Sequence, residues 1–134
     1  MADLYRRVEL FEEAEEMAMK LYSVAPTADN VLRVAKLEFD RGEYRDAIKY
    51  YEEAAGKTED SNVLKDIHMK LAESYKNTDN FQKARGSAQA AMKIDPNWGQ
   101  PYLMISEIYA AAVSNCSGGE VSREDKAVYW LVLD

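Results

Sequence analysis

The stretch NFQKARGSAQAAMKIDPNWGQPY, residues 80–102, contains a polar turn, an alanine-rich segment and a proline that ends it. From Phe81, alanines follow at offsets of three, seven and ten residues, and Pro96 closes the segment. Because residues at these offsets lie on one face of an α-helix, the stretch predicts a helix with a narrow face of small side chains. Such a face indicates that neighbouring helices cross it closely.

The same face occurs three times along the chain. Stepping back 37 residues from Phe81, and then a further 33, gives Tyr44, Ala47, Tyr51 and Ala54, and then Phe11, Ala14, Ala18 and Leu21. Between these copies a second pattern recurs, a large residue followed by a small one, at Val34-Ala35, Leu71-Ala72 and Ile105-Ser106. Two types of helix therefore alternate with a period of about 34 residues, which is typical of a helical repeat protein.

Turn-forming segments divide the pattern into helices. We predict helices at residues 3–24, 28–41, 44–56, 61–77, 81–93, 99–113 and 123–134. They form one domain over 1–134, with a second helix of a repeat at 3–26, repeats at 28–61 and 65–98, and an interrupted third repeat at 99–134. The interruption is the segment SNCSGGEVSREDK, residues 114–126, which is either a tolerated loop or a functional insertion.

Composition restricts the class of protein. Among 134 residues, 31% are charged and 47% hydrophobic, as in a globular domain, and the formal net charge of -7 disfavours nucleic acid and anionic lipid as partners. No apolar run is long enough to span a bilayer, and the start resembles no secretory signal. A cytoplasmic location is therefore the default expectation, although the single cysteine is compatible with a secreted protein too.

Residues for catalysis or metal binding are scarce. His68 is the only histidine, and it falls on a core-facing position, which predicts a packed side chain. One histidine and one cysteine, Cys116, cannot build a His/Cys zinc site, and no phosphate-binding glycine motif is present. We therefore expect no cofactor, no metal and no enzymatic activity.

The segment HMKLAESY…NFQKARGSAQAAMKIDP, residues 68–96, resembles the tetratricopeptide repeat, with His68 in place of the usual Trp and Asp79 in place of the usual Gly. VLRVAKLEFDRGEYRDAIKYYEEA, residues 31–54, resembles it too, but has Glu38 in place of the usual Tyr and no closing Pro. The resemblance implies an all-α, right-handed superhelix of stacked helix hairpins. The loop and the AVYW segment are more weakly similar to tetratricopeptide proteins of Bacteroidetes-type bacteria, some of them in the cell envelope. This hints at a bacterial protein, located in the envelope if the chain is a fragment of a longer secreted one.

The resemblance implies a non-catalytic scaffold whose first helices line a concave groove for a peptide or helix of a partner protein. The family's groove positions correspond here to Leu32, Lys36, Phe39, Asp40, Met69, Glu73, Lys76, Asn77, Leu103, Glu107 and Ala110. The family's carboxylate clamp for chaperone tails is missing, because Leu32, Lys36 and Met69 stand where it uses Lys, Asn and Lys. Mixed charges around large apolar side chains favour an amphipathic segment as the partner.

The C-terminal segment AVYWLVLD, residues 127–134, suggests an alternative function. A helix that is apolar nearly all round needs neighbours on more than one side. We therefore expect association through Val128, Trp130 and Leu131, either in a homodimer or with further helices of a longer array.

Overall fold

The computed structural model describes residues 2–116, and within them every regular element is an α-helix. The helices are α1 Ala2–Val24, α2 Ala28–Asp40, α3 Tyr44–Ala55, α4 Ser61–Asn77, α5 Phe81–Ile94 and α6 Gln100–Cys116. Each packs against its neighbour along the chain, and α4 also contacts α6. This is a solenoid of stacked helix pairs, and it confirms the predicted all-α fold class.

The predicted helix bounds agree closely with the structure up to residue 94, and the single long first helix is confirmed. One boundary is wrong: α6 continues to Cys116, so the first three residues of the predicted 114–126 insertion are helical. The physical reason is that YAAAVSNC, residues 109–116, contains no Gly or Pro that would end a helix. The remainder of that insertion and the predicted helix at 123–134 lie outside the described residues.

Side-chain caps fix where the later helices begin. Thr27, Asp60 and Asn80 precede α2, α4 and α5, and each side chain accepts a hydrogen bond from a backbone N–H in the first turn. These bonds satisfy donors that a helix leaves free at its start. Polar residues in the connections therefore fix where these three helices begin.

Alanines form the crossings between helices. Ala47, Ala54, Ala84, Ala88 and Ala91 on α3 and α5 are all completely buried. All but Ala91 belong to one core cluster that runs from α2 to α6 and includes larger residues of the first helices. The small side chains let the helices approach closely, and tight packing supplies dispersion contacts that a single pair could not make.

Glu38 is a buried carboxyl at the position where the family pattern has tyrosine. Its Oε1 lies 3.6 Å from Nη1 of Arg41, and the same guanidinium nitrogen lies 2.6 Å from Oε2 of Glu15 on α1. Burial, followed by the hydrogen bond and negative charge of Glu15, raises the pKa of Glu38, while Arg41 opposes this shift. The cluster joins α1 to the end of α2.

The turns inside the two complete repeats have the same left-handed residue. Gly42 has φ +81° after α2, and Asp79 has φ +63° after α4. These positions are 37 residues apart, which is the spacing of the repeats themselves. The turn requires a positive φ, which glycine adopts freely and aspartate adopts at some cost.

None of the helices in residues 2–116 combines the length and the apolar character that crossing a membrane requires.

Candidate binding groove

An open cavity of about 550 Å³ lies between the first helices of successive repeats, α2, α4 and α6. Its lining residues are Leu32, Lys36, Tyr51, Val63, Asp66, Ile67, Met69, Lys70, Glu73, Trp98, Gln100 and Met104. The volume falls in the range typical of ligand-binding clefts. The cavity combines an apolar base with charged side chains on α2 and α4, as a site for an amphipathic occupant would.

The structure brings together Leu32, Lys36, Met69 and Glu73, all of which the sequence assigned to the groove. Leu32 and Met69 are half-buried and pack against the core, so each has one side in the core and one toward the cavity. The partial burial of Leu32 and Met69 follows from their positions on α2 and α4. In α2 and α4 the fully buried residues occupy the adjacent face, and the groove positions lie at its edge.

The other predicted groove residues lie outside this cavity. Phe39 is half-buried against Tyr44, with ring centroids 5.5 Å apart, and Asp40 is exposed at the end of α2. Leu103 and Ala110 are exposed on α6.

Three further predicted groove residues interact with the protein itself. Nζ of Lys76 on α4 lies 3.4 Å from Oε2 of Glu107 on α6, so this ion pair bridges two repeats. The side chain of Asn77 donates a hydrogen bond to the carbonyl of Glu73, and Asn77 lines a separate small cavity beside the Gly42 turn. These contacts give the three residues a structural role at the edge of the groove.

Sequence reasoning missed several lining residues, of which Tyr51, Lys70 and Trp98 are the most informative. Tyr51 belongs to the second-helix face that was assigned to the core, but its ring reaches the cavity between α2 and α4. Lys70 places Nζ 4.3 Å from the centroid of the Phe39 ring. Lys70 could have been found from its helical spacing, since Asp66, Lys70 and Glu73 share one side of α4.

Several charged groups of the cavity have no ion-pair partner within 4.0 Å in the described part of the chain. This holds for Lys36, Asp66, Lys70 and Glu73, whereas Lys65 nearby pairs with Asp95 at 3.1 Å. Unpaired charges of both signs around an apolar base can contact a complementary occupant without first breaking an internal pair.

The hydroxyl of Tyr51 is buried and has no hydrogen-bond partner among the residues that the structure describes. Burial raises the pKa of Tyr51 well above the usual tyrosine range, and the negative charges of Asp40 and Glu73 act in the same direction. Tyr51 therefore stays neutral and contributes a hydroxyl donor and an aromatic ring beside the cavity.

His68 lies on the opposite face of α4 from the groove. It is half-buried in a second open cavity of about 480 Å³ between α3 and α5, where burial lowers the pKa of its imidazole. Tyr75 in the same cavity donates a hydrogen bond to Glu52. Across the described residues, no three His, Cys, Asp or Glu side chains are grouped so that they could hold a metal ion.

Residues 66–97, which include most of α4 and all of α5, match the family model described as tetratricopeptide repeat. The chain contains a tetratricopeptide repeat. It is also 28% identical over 100 residues to Tetratricopeptide repeat protein 12 of Mus musculus, a match that covers 75% of this chain and 14% of that protein. The chain thus spans about a seventh of the length of this relative. The family resemblance of the sequence is confirmed, and the bacterial origin stays a prediction.

Tetratricopeptide repeats typically bind protein partners, and proteins that contain them are generally non-catalytic adaptors. The repeat therefore indicates a protein-interaction scaffold.

Proposed function

We propose that this tetratricopeptide domain is a non-catalytic scaffold that binds an amphipathic peptide or helix of a partner protein in the groove between α2, α4 and α6. The observation that carries the proposal is the cavity of about 550 Å³, in which half-buried Leu32 and Met69 lie among four charged residues that form no ion pair within residues 2–116. An apolar side chain of the partner enters the cavity, and polar groups beside it meet the charges at the rim.

The distribution of charge specifies the partner further. Lys36 lies on α2, and Lys70 of α4 extends over the Phe39 ring of α2, whereas Asp66 and Glu73 lie on α4. A partner segment with an acidic residue toward α2 and a basic residue toward α4 is complementary to this arrangement. For a longer partner segment, the binding surface extends beyond the cavity over the remaining predicted groove residues, which are Phe39, Asp40, Lys76, Asn77, Leu103, Glu107 and Ala110. The formal net charge of -7 makes a protein partner more suitable than a nucleic acid.

The proposal can be tested with peptides selected from a displayed random library against the whole chain. Selected peptides should carry a large apolar residue flanked by opposite charges. Met69→Glu should weaken their binding at least about tenfold, measured by fluorescence anisotropy, because it places a charge on the apolar base.

Val8→Glu is the matched control, since it adds the same charge at an exposed residue on α1, far along the chain from the groove. Its affinity for the peptides should equal that of the wild type. Peptides that bind Met69→Glu and the wild type equally would place the binding surface elsewhere. A library that yields no binder would contradict the proposal.

The second candidate function is self-association through the C-terminal segment. Val128, Trp130 and Leu131 lie outside the described residues, so this candidate stays a prediction. It is favoured by the exposed Tyr102 and Leu103 on α6, the last described helix before that segment.

A further inference from the structure

α1 has two apolar faces, and the stack covers only one of them. Phe11, Ala18 and Tyr22 lie on the covered face, where Ala18 is buried and the hydroxyl of Tyr22 donates a 2.9 Å hydrogen bond to Glu53 of α3. The second face carries a stripe of exposed residues, which we name the α1 seam: Leu10, Ala14, Met17, Leu21 and Val24.

The α1 seam has the spacing of a coiled-coil core. Its residues follow one another at intervals of four, three, four and three. This is the heptad pattern that lets two helices pack side by side over several turns. Three of its side chains are more than half exposed, with Leu10 at 57%, Met17 at 58% and Val24 at 85%.

Exposure of this kind is confined to the two ends of the described stack. Within the described residues, the exposed large hydrophobic side chains are Val8, Leu10, Met17, Met19, Leu21 and Val24 on α1, and Tyr102 and Leu103 on α6. None belongs to α2, α3, α4 or α5. A contiguous apolar stripe on one helix, in a protein that covers such residues elsewhere, marks an interaction surface.

We propose that the α1 seam is a homodimer interface, in which α1 packs antiparallel against α1 of a second copy of this chain. The proposal is independent of the groove. In the register that places Leu10 against Leu21 of the second copy, Ala14 faces Met17 of the second copy. Each small residue then meets a large one, as a well-packed core requires. A parallel pairing would place Ala14 against Ala14 and leave a gap.

The charged residues beside the α1 seam favour the same antiparallel register. Glu13 and Lys20 flank it on the side away from the stack, and both are exposed. The antiparallel register brings Glu13 of one copy to Lys20 of the other, and the two-fold symmetry repeats this pair. Within one chain, Nζ of Lys20 lies 3.4 Å from Oε1 of Glu16, and the two side chains are about two-thirds exposed. Such an exposed ion pair contributes little stability, so Lys20 can pair with Glu13 of the second copy instead.

The direct test is sedimentation equilibrium on the whole chain over a series of concentrations. We expect a monomer–dimer equilibrium. Met17→Glu should raise the dimer dissociation constant at least about tenfold, because it buries a charge at the centre of the seam. Val8→Glu is the matched control on the opposite side of the same helix, with similar exposure, and should leave the equilibrium unchanged. Circular dichroism checks that both variants keep the fold.

A charge exchange tests the register. Glu13→Lys and Lys20→Glu should each weaken the dimer, and the two changes together should restore it. In a parallel pairing neither Glu13 nor Lys20 would meet a charged residue of the second copy at this seam. Single changes that leave the affinity unaltered would therefore contradict the antiparallel register.

Three outcomes would overturn the interface itself. The first is a chain that stays monomeric at every concentration. The second is a dimer that survives Met17→Glu but dissociates in Trp130→Asp, which would move the interface to the C-terminal segment. The third is mass that keeps growing with concentration, which would indicate a head-to-tail contact between the two ends of the stack.

Discussion

The gap between α1 and α3 is filled by aromatic side chains, whereas the equivalent gap between α3 and α5 is open. In the first gap the rings of Tyr22 and Tyr50 meet edge to face with centroids 5.6 Å apart, and Tyr22 donates a hydrogen bond to Glu53. The residues at the same places in the next repeat are Ala55, Ser87 and Ala90.

The second gap is consequently the cavity of about 480 Å³, with Ala55, Ser87 and Ala90 in its lining. Both gaps lie between the second helices of successive repeats, and the alanines at the helix crossings are completely buried in both repeats. The repeat therefore sets how closely the helices approach one another, whereas the volume of the side chains beside the crossing decides whether the gap between the second helices is filled.

The crossing alanines should give the largest effects, because both repeats depend on them. We expect Ala84→Leu and Ala91→Leu each to lower the free energy of unfolding by about 1–3 kcal/mol through overpacking, measured by chemical denaturation. Ala90→Leu is the control: it adds the same volume beside the open cavity and should cost less than about 0.5 kcal/mol. Equal losses at all three positions would show that the second gap is not free space.

The filled gap can be emptied. Tyr50→Ala should lower the free energy of unfolding by about 2 kcal/mol, because it removes a half-buried ring and its contact with Tyr22. The matched change in the open gap, Ser87→Ala, should stay within about 0.5 kcal/mol of the wild type. Thermal melts of both variants provide the measurement, and similar shifts in the two would argue against a difference in packing between the gaps.

The two turns within the repeats differ in the residue that adopts the positive φ, which allows the cost of that backbone conformation to be compared. Asp79→Gly should raise the free energy of unfolding by about 1 kcal/mol, because glycine adopts the positive φ without strain. Gly42→Ala should lower it by about the same amount, since the added Cβ has open space around it and only the backbone conformation is unfavourable. Changes of the same sign in the two variants would contradict this account.

The smallest effect concerns Glu38, which occupies the position that Tyr75 has in the second repeat. The raised pKa means that folded Glu38 holds its proton to higher pH than the unfolded chain does. The free energy of unfolding should therefore fall as pH rises from the ordinary glutamate range through the raised pKa. Glu38→Gln removes this dependence, so its stability relative to the wild type should increase as the pH rises above about 4. Denaturation curves at several pH values would show it, and parallel profiles for the two proteins would exclude the effect.

Local patterns in the sequence were sufficient to predict the helices and the closely crossed faces of α3 and α5. The face predicted for α1 was wrong in part, because Ala14 and Leu21 are exposed and only Ala18 of that face is fully buried. The offsets from Phe81 and from Tyr44 located the buried faces of α5 and α3, and the period between them gave the stacked architecture. The end of α6 was placed too early, because the turn-rich letters after residue 116 suggested a loop that begins sooner than it does. Boundaries depend on where a helix frays, and a pattern of offsets does not record that.

The candidate groove was only partly predictable. Leu32, Lys36, Met69 and Glu73 could be assigned because their positions relative to the buried face of a first helix are fixed by helical geometry. Tyr51 and Trp98 line the same cavity from α3 and from the connection after α5. No periodicity within α2 or α4 carries information about them.

What the sequence by itself determined is therefore the repeat: which residues are helical, which faces of α3 and α5 are buried, and where alanine must stand on those two helices. These properties are local, because they follow from the turn of one helix and the size of its side chains. The tertiary structure alone decided that Lys70 lies over Phe39, that Lys76 pairs with Glu107 across repeats, and that one gap is open while the other is filled. Each of these depends on which side chains of different helices meet, and that is set by how the stacked pairs twist against one another rather than by any spacing along the chain.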